Sequence, residues 1–202
     1  MTVTITPFDV LEPSMLEQVR TAAAAAAEVD GVEPLSEAFV LALPRAGDHV
    51  VATDGDRLLG YAACADDGSV EAFVDPRDRA KGVGAALLTS VLERRPDARP
   101  WAHGDLPASR ALAESLGLHV VRRLLVLSRA VRPGDEVDPT LPEGLRHRTF
   151  RPGQDEAALL AVNAAAFVDH PEQGALDEAG LAERAAQPWF DPEGVILLED
   201  GD

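Results

Sequence analysis

The sequence contains a single cysteine, Cys64, so no disulfide can close within the chain and no cysteine-based zinc site can be assembled from it. It has one lysine, Lys81, with arginine supplying the remaining basic residues, and one tyrosine, Tyr61. No run approaches the ~18 consecutive apolar residues that a membrane-spanning helix requires. The first residues, Met1 to Asp9, lack the basic start and apolar core of a secretion signal. A cytoplasmic protein without a membrane partner is therefore expected. Positive charge is scarce overall: the 202 residues carry a net charge of −17, which excludes a nucleic-acid backbone as partner. Any anionic ligand must be held by local geometry, against an unfavourable overall field. The abundance of alanine and the use of arginine for lysine point to a GC-rich source genome.

What is present is a regular alternation of elements. Val3 to Thr6 alternates apolar and polar residues and predicts a strand. Pro13 to Asp30 predicts a helix, with Ser14 as its cap, a run of alanines inside it and Gly31 ending it. Ser36 to Leu43 predicts a second, short helix. His49 to Thr53 and Arg57 to Ala65 predict a hairpin about Asp54-Gly55-Asp56, and Ser69 to Val74 a third antiparallel strand. Helices are expected over Gly82 to Arg94 and Pro107 to Leu116, with Gly117 as the cap of the second. A short strand is expected over Pro100 to His103, and a long final strand over His119 to Val131.

Residues 132–144, rich in proline, glycine and acid, read as a linker. Beyond them the order starts again: a strand over Leu145 to Phe150, helices over Gln154 to Phe167 and Leu176 to Trp189, and a strand over Val195 to Glu199. The segments Val51–Asp56 (VATDGD) and Leu197–Asp202 (LLEDGD) hold corresponding places, so an internal repeat is expected. The expected organisation is a first domain over 1–131, a linker over 132–144, and the beginning of a second domain over 145–202, with the chain a fragment of a longer protein. A terminal strand left without a partner would be an edge open to self-association.

The most informative segment runs from Val74 to Ala85, with sequence VDPRDRAKGVGA. A strand ends, the chain turns through a proline and three basic residues, and a helix opens through two glycines. Backbone N–H groups at a helix start, together with the helix dipole, attract an anion. Arg79 and Lys81 are expected to add positive charge. The pattern Val-x-Pro-x-x-Arg-x-x-Gly-x-Gly, following three meandering strands, resembles the acetyl-CoA pyrophosphate loop of the GCN5-related N-acetyltransferases. The resemblance covers residues 1–131. It implies an α/β fold with a mixed, mostly antiparallel central sheet flanked by helices, here followed by an incomplete second copy. It also implies that Ala72, Phe73 and Val74 hold the pantetheine arm through the backbone, and that Ala80, Lys81, Gly82, Val83, Gly84 and Ala85 hold the pyrophosphate. No metal is called for.

The chain departs from that pattern in one place. Many members carry a tyrosine four residues before the glycine of a Leu-Gly-Phe segment, as the acid for the leaving thiolate; here Ala113 stands four residues before Gly117. Tyr61 reads as a packing residue in a strand. Glu71 is a candidate base, although on a strand the plainer reading is a solvated glutamate. His103 is a candidate proton relay or a hydrogen-bonding loop residue, and Cys64 reads as buried and inert. The catalytic acid and base remain unassigned.

Several loop segments resemble the mycothiol synthase family in particular: Val29-Asp30-Gly31-Val32-x-Pro34, Trp101-Ala102-His103-Gly104, His170-Pro171-Glu172-Gln173-Gly174 and Trp189-Phe190-Asp191-Pro192-Glu193-Gly194. This resemblance implies tandem acetyltransferase domains, the second performing the chemistry. The cysteinyl amine of a small thiol-sugar conjugate (cysteine, glucosamine and inositol) would accept the acetyl group. It implies further that Glu37 and Glu172 contact that substrate and that the full-length protein is a monomer. For Glu37 a first-turn acid favoured by the helix dipole is an equal alternative. A non-catalytic acetyl-CoA-binding module and an acetyltransferase with another amine substrate are the competing functional readings.

Overall fold

The computed structural model describes residues 2–135, 140–168 and 176–200. The chain divides into two compact units at Val126/Leu127. In the first, the order is β1 (Thr4–Phe8), α1 (Pro13–Asp30), α2 (Glu37–Ala42), β2 (Asp48–Asp54), β3 (Arg57–Cys64), β4 (Ser69–Val74), α3 (Val83–Arg94), β5 (Arg99–Pro100) and α4 (Pro107–Ser115). The strands form one sheet in the order β1-β2-β3-β4-β5. β1 to β4 pair antiparallel and β5 runs parallel to β4.

α1 covers one face of this sheet and α3 the other. Val19, Ala22 and Ala26 of α1 pack with Val51, Tyr61 and Phe73, whereas Val83, Leu87 and Val91 of α3 pack with Val50, Leu59, Ala62 and Val70. Because helices cover both faces, β2 and β3 are buried on both sides and read as continuous apolar runs. Each fully buried valine or leucine there contributes about 1.5–3 kcal/mol. The alanines of α1 let that helix lie close to the strands while keeping its propensity high.

α1 starts from Glu12 with Pro13 in its first turn, so Ser14 lies inside the helix and is not the cap. A proline at the first helical position has no N–H to leave unsatisfied, which fixes the start there. The Pro100–His103 strand is reduced to Arg99–Pro100, because the chain turns over His103–Asp105 with positive φ at Gly104 and Asp105. The strand expected over His119 to Val131 does not form. This segment carries exposed Val120, Val121, Leu125, Val126 and Leu127 and has no ladder partner among the described residues. Apolar β-branched composition makes a strand only when a neighbouring strand accepts its backbone groups.

The second unit contains β6 (Leu145–Thr149), α5 (Glu156–Ala166), α6 (Glu178–Ala185) and β7 (Ile196–Asp200). β6 and β7 pair antiparallel with two helices between them in sequence, the same order that joins β1 to β2. Arg148 reaches both Asp155 and Glu199 and ties this pair to the start of α5. Among the described residues no helix is long and apolar enough to cross a membrane.

Candidate functional site

β4 pairs with β3 along its whole length, but β5 reaches only Ser69 and Val70. Trp101 N–H donates to the Val70 carbonyl on the β5 side, and Asp75 N–H donates to the Leu59 carbonyl on the β3 side. Backbone groups alternate along a strand, so those of Ala72 and Val74 point away from β3, past the end of β5. The two parallel strands therefore part beside Ala72 and Val74, where the family resemblance implies the pantetheine arm, and an extended chain can pair with a strand edge of this kind.

After Val74 the chain makes a short turn over Pro76–Asp78 capped by Asp75, whose carboxylate accepts the Arg77 N–H at 3.0 Å. Ala80 (φ 59°) and Gly82 (φ 83°) then take left-handed conformations on either side of Lys81. An alanine in this region costs about 1–2 kcal/mol, strain that the surrounding turn sustains. The first α3 hydrogen bond joins Ala86 N–H to the Gly82 carbonyl at 3.0 Å. The N–H groups of Gly82, Val83, Gly84 and Ala85 thus precede the helical ladder and sit at its positive end.

The two glycines have different reasons. A Cβ on Gly82 would meet nothing within 4 Å, so this position needs glycine for its positive φ and opens onto space. A Cβ on Gly84 would lie 3.2 Å from a Leu112 methyl and 3.5 Å from Val74 Cγ2, so this glycine lets α3 seat against both α4 and the end of β4. The N–H groups ahead of the ladder, the open face at Gly82 and the free edge of β4 fit the phosphate and pantetheine portions of acetyl-CoA.

The loop cations, Arg79 and Lys81 among them, are paired with carboxylates. Lys81 Nζ donates to Asp78 Oδ1 at 2.9 Å and to the Arg77 carbonyl at 2.8 Å. Arg79 donates to both oxygens of Asp30, at 2.6 and 2.8 Å. Arg77 pairs with Asp75, and Arg57 of β3 reaches Asp78. Hydrogen bonds from Arg57 and Lys81 hold the Asp78 carboxyl down at about 2. Those from Arg77 lower Asp75 in the same way. Three carboxylates thus hold these cations and brace the loop, with Asp78 shared by Arg57 and Lys81.

Glu71 is buried and not solvated. Its Oε2 accepts the Ser36 N–H at 2.6 Å, and its Oε1 lies 3.0 Å from Nε2 of His103. The ring N–H is not aligned on that oxygen, so the contact acts as a charge pair more than as an aligned hydrogen bond. The Glu71 carboxylate raises the His103 pKa, with burial opposing. Gly104 adjoins Val32, and a Cβ there would lie 2.8 Å from Val32 Cγ1. The Val29–Pro34 and Trp101–Gly104 segments, far apart in sequence, are therefore neighbours at the end of β4. Glu37 opens α2 immediately after Ser36 and is exposed. Glu172 lies outside the described residues.

Tyr61 and Cys64 behave as packing residues. The Tyr61 hydroxyl lies 2.6 Å from His49 Nδ1, and His49 Nε2 lies 3.0 Å from the Arg45 carbonyl. A carbonyl only accepts, so Nε2 carries the proton and Nδ1 accepts from the tyrosine. Burial pushes the Tyr61 and Cys64 pKa values up. Ala113, where a tyrosine is common, is a half-buried methyl whose carbonyl caps the end of α4. The sequence did not single out Asp30 and Ser36 as partners of Arg79 and Glu71. Asp30 lies in a quoted motif, but its partner is 49 residues away.

The class of protein is set by this sheet and loop. The fold is that of the GCN5-related N-acetyltransferases: a member from Sphaerobacter thermophilus aligns with a TM-score of 0.60 at 23% identity, over 98% of this chain and 68% of that one. No family model matches the sequence. The mycothiol acetyltransferase of Thermobispora bispora is 45% identical over 93% of this chain, and that of Streptomyces bingchenggensis is 43% identical over 96% of it and 68% of its own length. The chain belongs to the mycothiol acetyltransferase family. It spans 65% of the length of the Thermobispora relative.

Proposed function

We propose that this chain binds acetyl-CoA through its first unit, as part of an N-acetyltransferase that acetylates the cysteinyl amine of the desacetyl cysteine–glucosamine–inositol conjugate to give mycothiol. The observation that carries the cofactor reading is the unladdered N–H array of Gly82–Ala85 beside the free edge of β4. Acetyl-CoA supplies the activated acyl group. Ala72 offers its backbone groups and Val74 its N–H to the arm, the Val74 carbonyl already accepting from Arg79, and residues 80–85 offer theirs to its phosphates. The acceptor assignment rests on kinship with relatives named for mycothiol acetylation. A cytoplasmic monomer whose domains run over 1–131 and from 145 onward, joined by a linker, is the organisation we propose.

We assign the first unit to binding and the transfer to the second copy, because Ala113 has no proton to give the leaving thiolate. Glu37 and Glu172 are assigned to the substrate, whose ammonium and hydroxyl groups suit carboxylates. For Glu37 the support is its exposed place beside Ser36, which Glu71 anchors to β4. The test is calorimetry of the chain with acetyl-CoA, followed by mass spectrometry of a mixture containing the desacetyl conjugate. Binding without product is expected. No binding at millimolar cofactor overturns the cofactor reading, and acetylated product overturns the division of labour.

A further inference from the structure

Arg79 stands where added positive charge was expected near the anion, and its guanidinium is bound to groups of the protein. Its two terminal nitrogens grip both Asp30 oxygens at 2.6 and 2.8 Å, and its Nε donates to the Val74 carbonyl at 3.2 Å. The pair is sheltered: the Arg79 side chain is 31% exposed and that of Asp30 15%. A planar guanidinium meeting a carboxylate two-for-two is geometrically specific, which a lysine cannot reproduce.

The partners define what the grip holds. Asp30 is the last residue of α1, and Gly31 behind it turns the chain with φ 69° into the loop 31–36. The far end of that loop, Ser36, is held by Glu71 of β4. Val32 between them lies against Gly104. The loop that delivers Glu37 is thus fastened at both ends, to Arg79 and Glu71, which flank the free edge of β4.

We infer that Arg79 is a positioning residue and not a phosphate ligand: through Asp30 it fixes loop 31–36 and the end of β4, and it leaves the anion to the backbone N–H groups of Gly82–Ala85. The part concerning the anion rests on the acetyl-CoA reading above; the clamp rests on the geometry alone.

The two roles give opposite signs for one substitution. If Arg79 were a ligand, Asp30→Asn would free its charge, remove a nearby anion and tighten acetyl-CoA. If it positions, Asp30→Asn loosens the loop and weakens acetyl-CoA by roughly threefold to tenfold, and adding Arg79→Ala costs little more, since both changes break one contact. The experiment is calorimetry with acetyl-CoA on the chain, D30N, R79A and the double variant, with hydrogen exchange of residues 31–36 measured on each without ligand. Faster exchange to the same extent in all three variants supports the clamp. Unchanged exchange, tighter binding by D30N, or equal costs of R79A in both backgrounds overturns the inference. Failure of the unmodified chain to bind acetyl-CoA overturns the cofactor reading instead, and the exchange data then decide the clamp.

Discussion

A Cβ placed on Gly60 would lie 2.7 Å from the Phe73 carbonyl oxygen and 3.0 Å from a Leu87 methyl. β3 and α3 thus close on β4 at a point that only a hydrogen atom fits. The neighbour is backbone, which cannot rotate aside. Gly60→Ala should therefore displace the end of β4 and lose about 1–3 kcal/mol of stability. Urea titration measures the loss, and a midpoint equal to that of the parent chain would refute the packing argument.

The glycines of the loop should separate cleanly. Gly82→Ala introduces strain at φ 83° with its methyl in open space, costing about 1 kcal/mol. Gly84→Ala meets the tip of Leu112, which can yield, and touches Val74 at ordinary contact distance, so its melting temperature should fall little. Gly84→Asp forces a carboxylate into the apolar contact with Leu112 and Val74, which should push the start of α3 away from β4 and abolish acetyl-CoA binding. Thermal melts and calorimetry on the three variants check this order.

The Glu71–His103 contact predicts a pH dependence. The folded-state pKa of His103 is raised above its ordinary 6.5 by the carboxylate. The stability it contributes is complete below that ordinary value and is lost as pH climbs through the raised one. The stability gap between the chain and its His103→Asn variant should shrink across that window. A gap that stays constant with pH would show that the pair carries no differential charge.

Asp78 predicts the opposite slope in acid. Arg57 and Lys81 lower its pKa from 3.8 to about 2, so its contribution is present above 3.8 and is lost as pH falls to about 2. Asp78→Asn should destabilise the loop at neutral pH, and the difference from the parent chain should narrow over that interval. Stability measured by denaturant at successive acid pH values tests it.

The first unit was legible in the sequence wherever order was local. α1, β4 and the β2–β3 hairpin lie where periodicity and turn residues put them, because caps and alternation are encoded within a few positions. The glycine turn into α3 was legible for the same reason, since Gly82 and the helix behind it are neighbours in sequence. Pairings across long separations were not. Nothing near Arg79 signals that Asp30 will reach it, and a glutamate on a strand gives no sign that a loop and a histidine will enclose it. The His119–Val131 strand failed on the same ground, since composition reports willingness to pair and not the presence of a neighbour. Glu37 was legible as an exposed first-turn acid, a position that serves a helix dipole and a substrate equally well.

The pairing of each loop cation with a carboxylate has a consequence for selectivity. A phosphate arriving at residues 80–85 would meet oriented peptide dipoles beside cations that are each already paired with a carboxylate, Lys81 and Arg57 sharing Asp78. Dipoles act over short distances and in fixed directions, so they discriminate by shape where free ions would draw in any polyanion. Raising ionic strength from low to physiological values screens the overall negative field and should therefore not weaken acetyl-CoA binding, and inorganic polyphosphate should compete poorly. In a molecule with net charge −17, recognition by direction rather than by attraction would let an anion be held without making the surface a general anion trap.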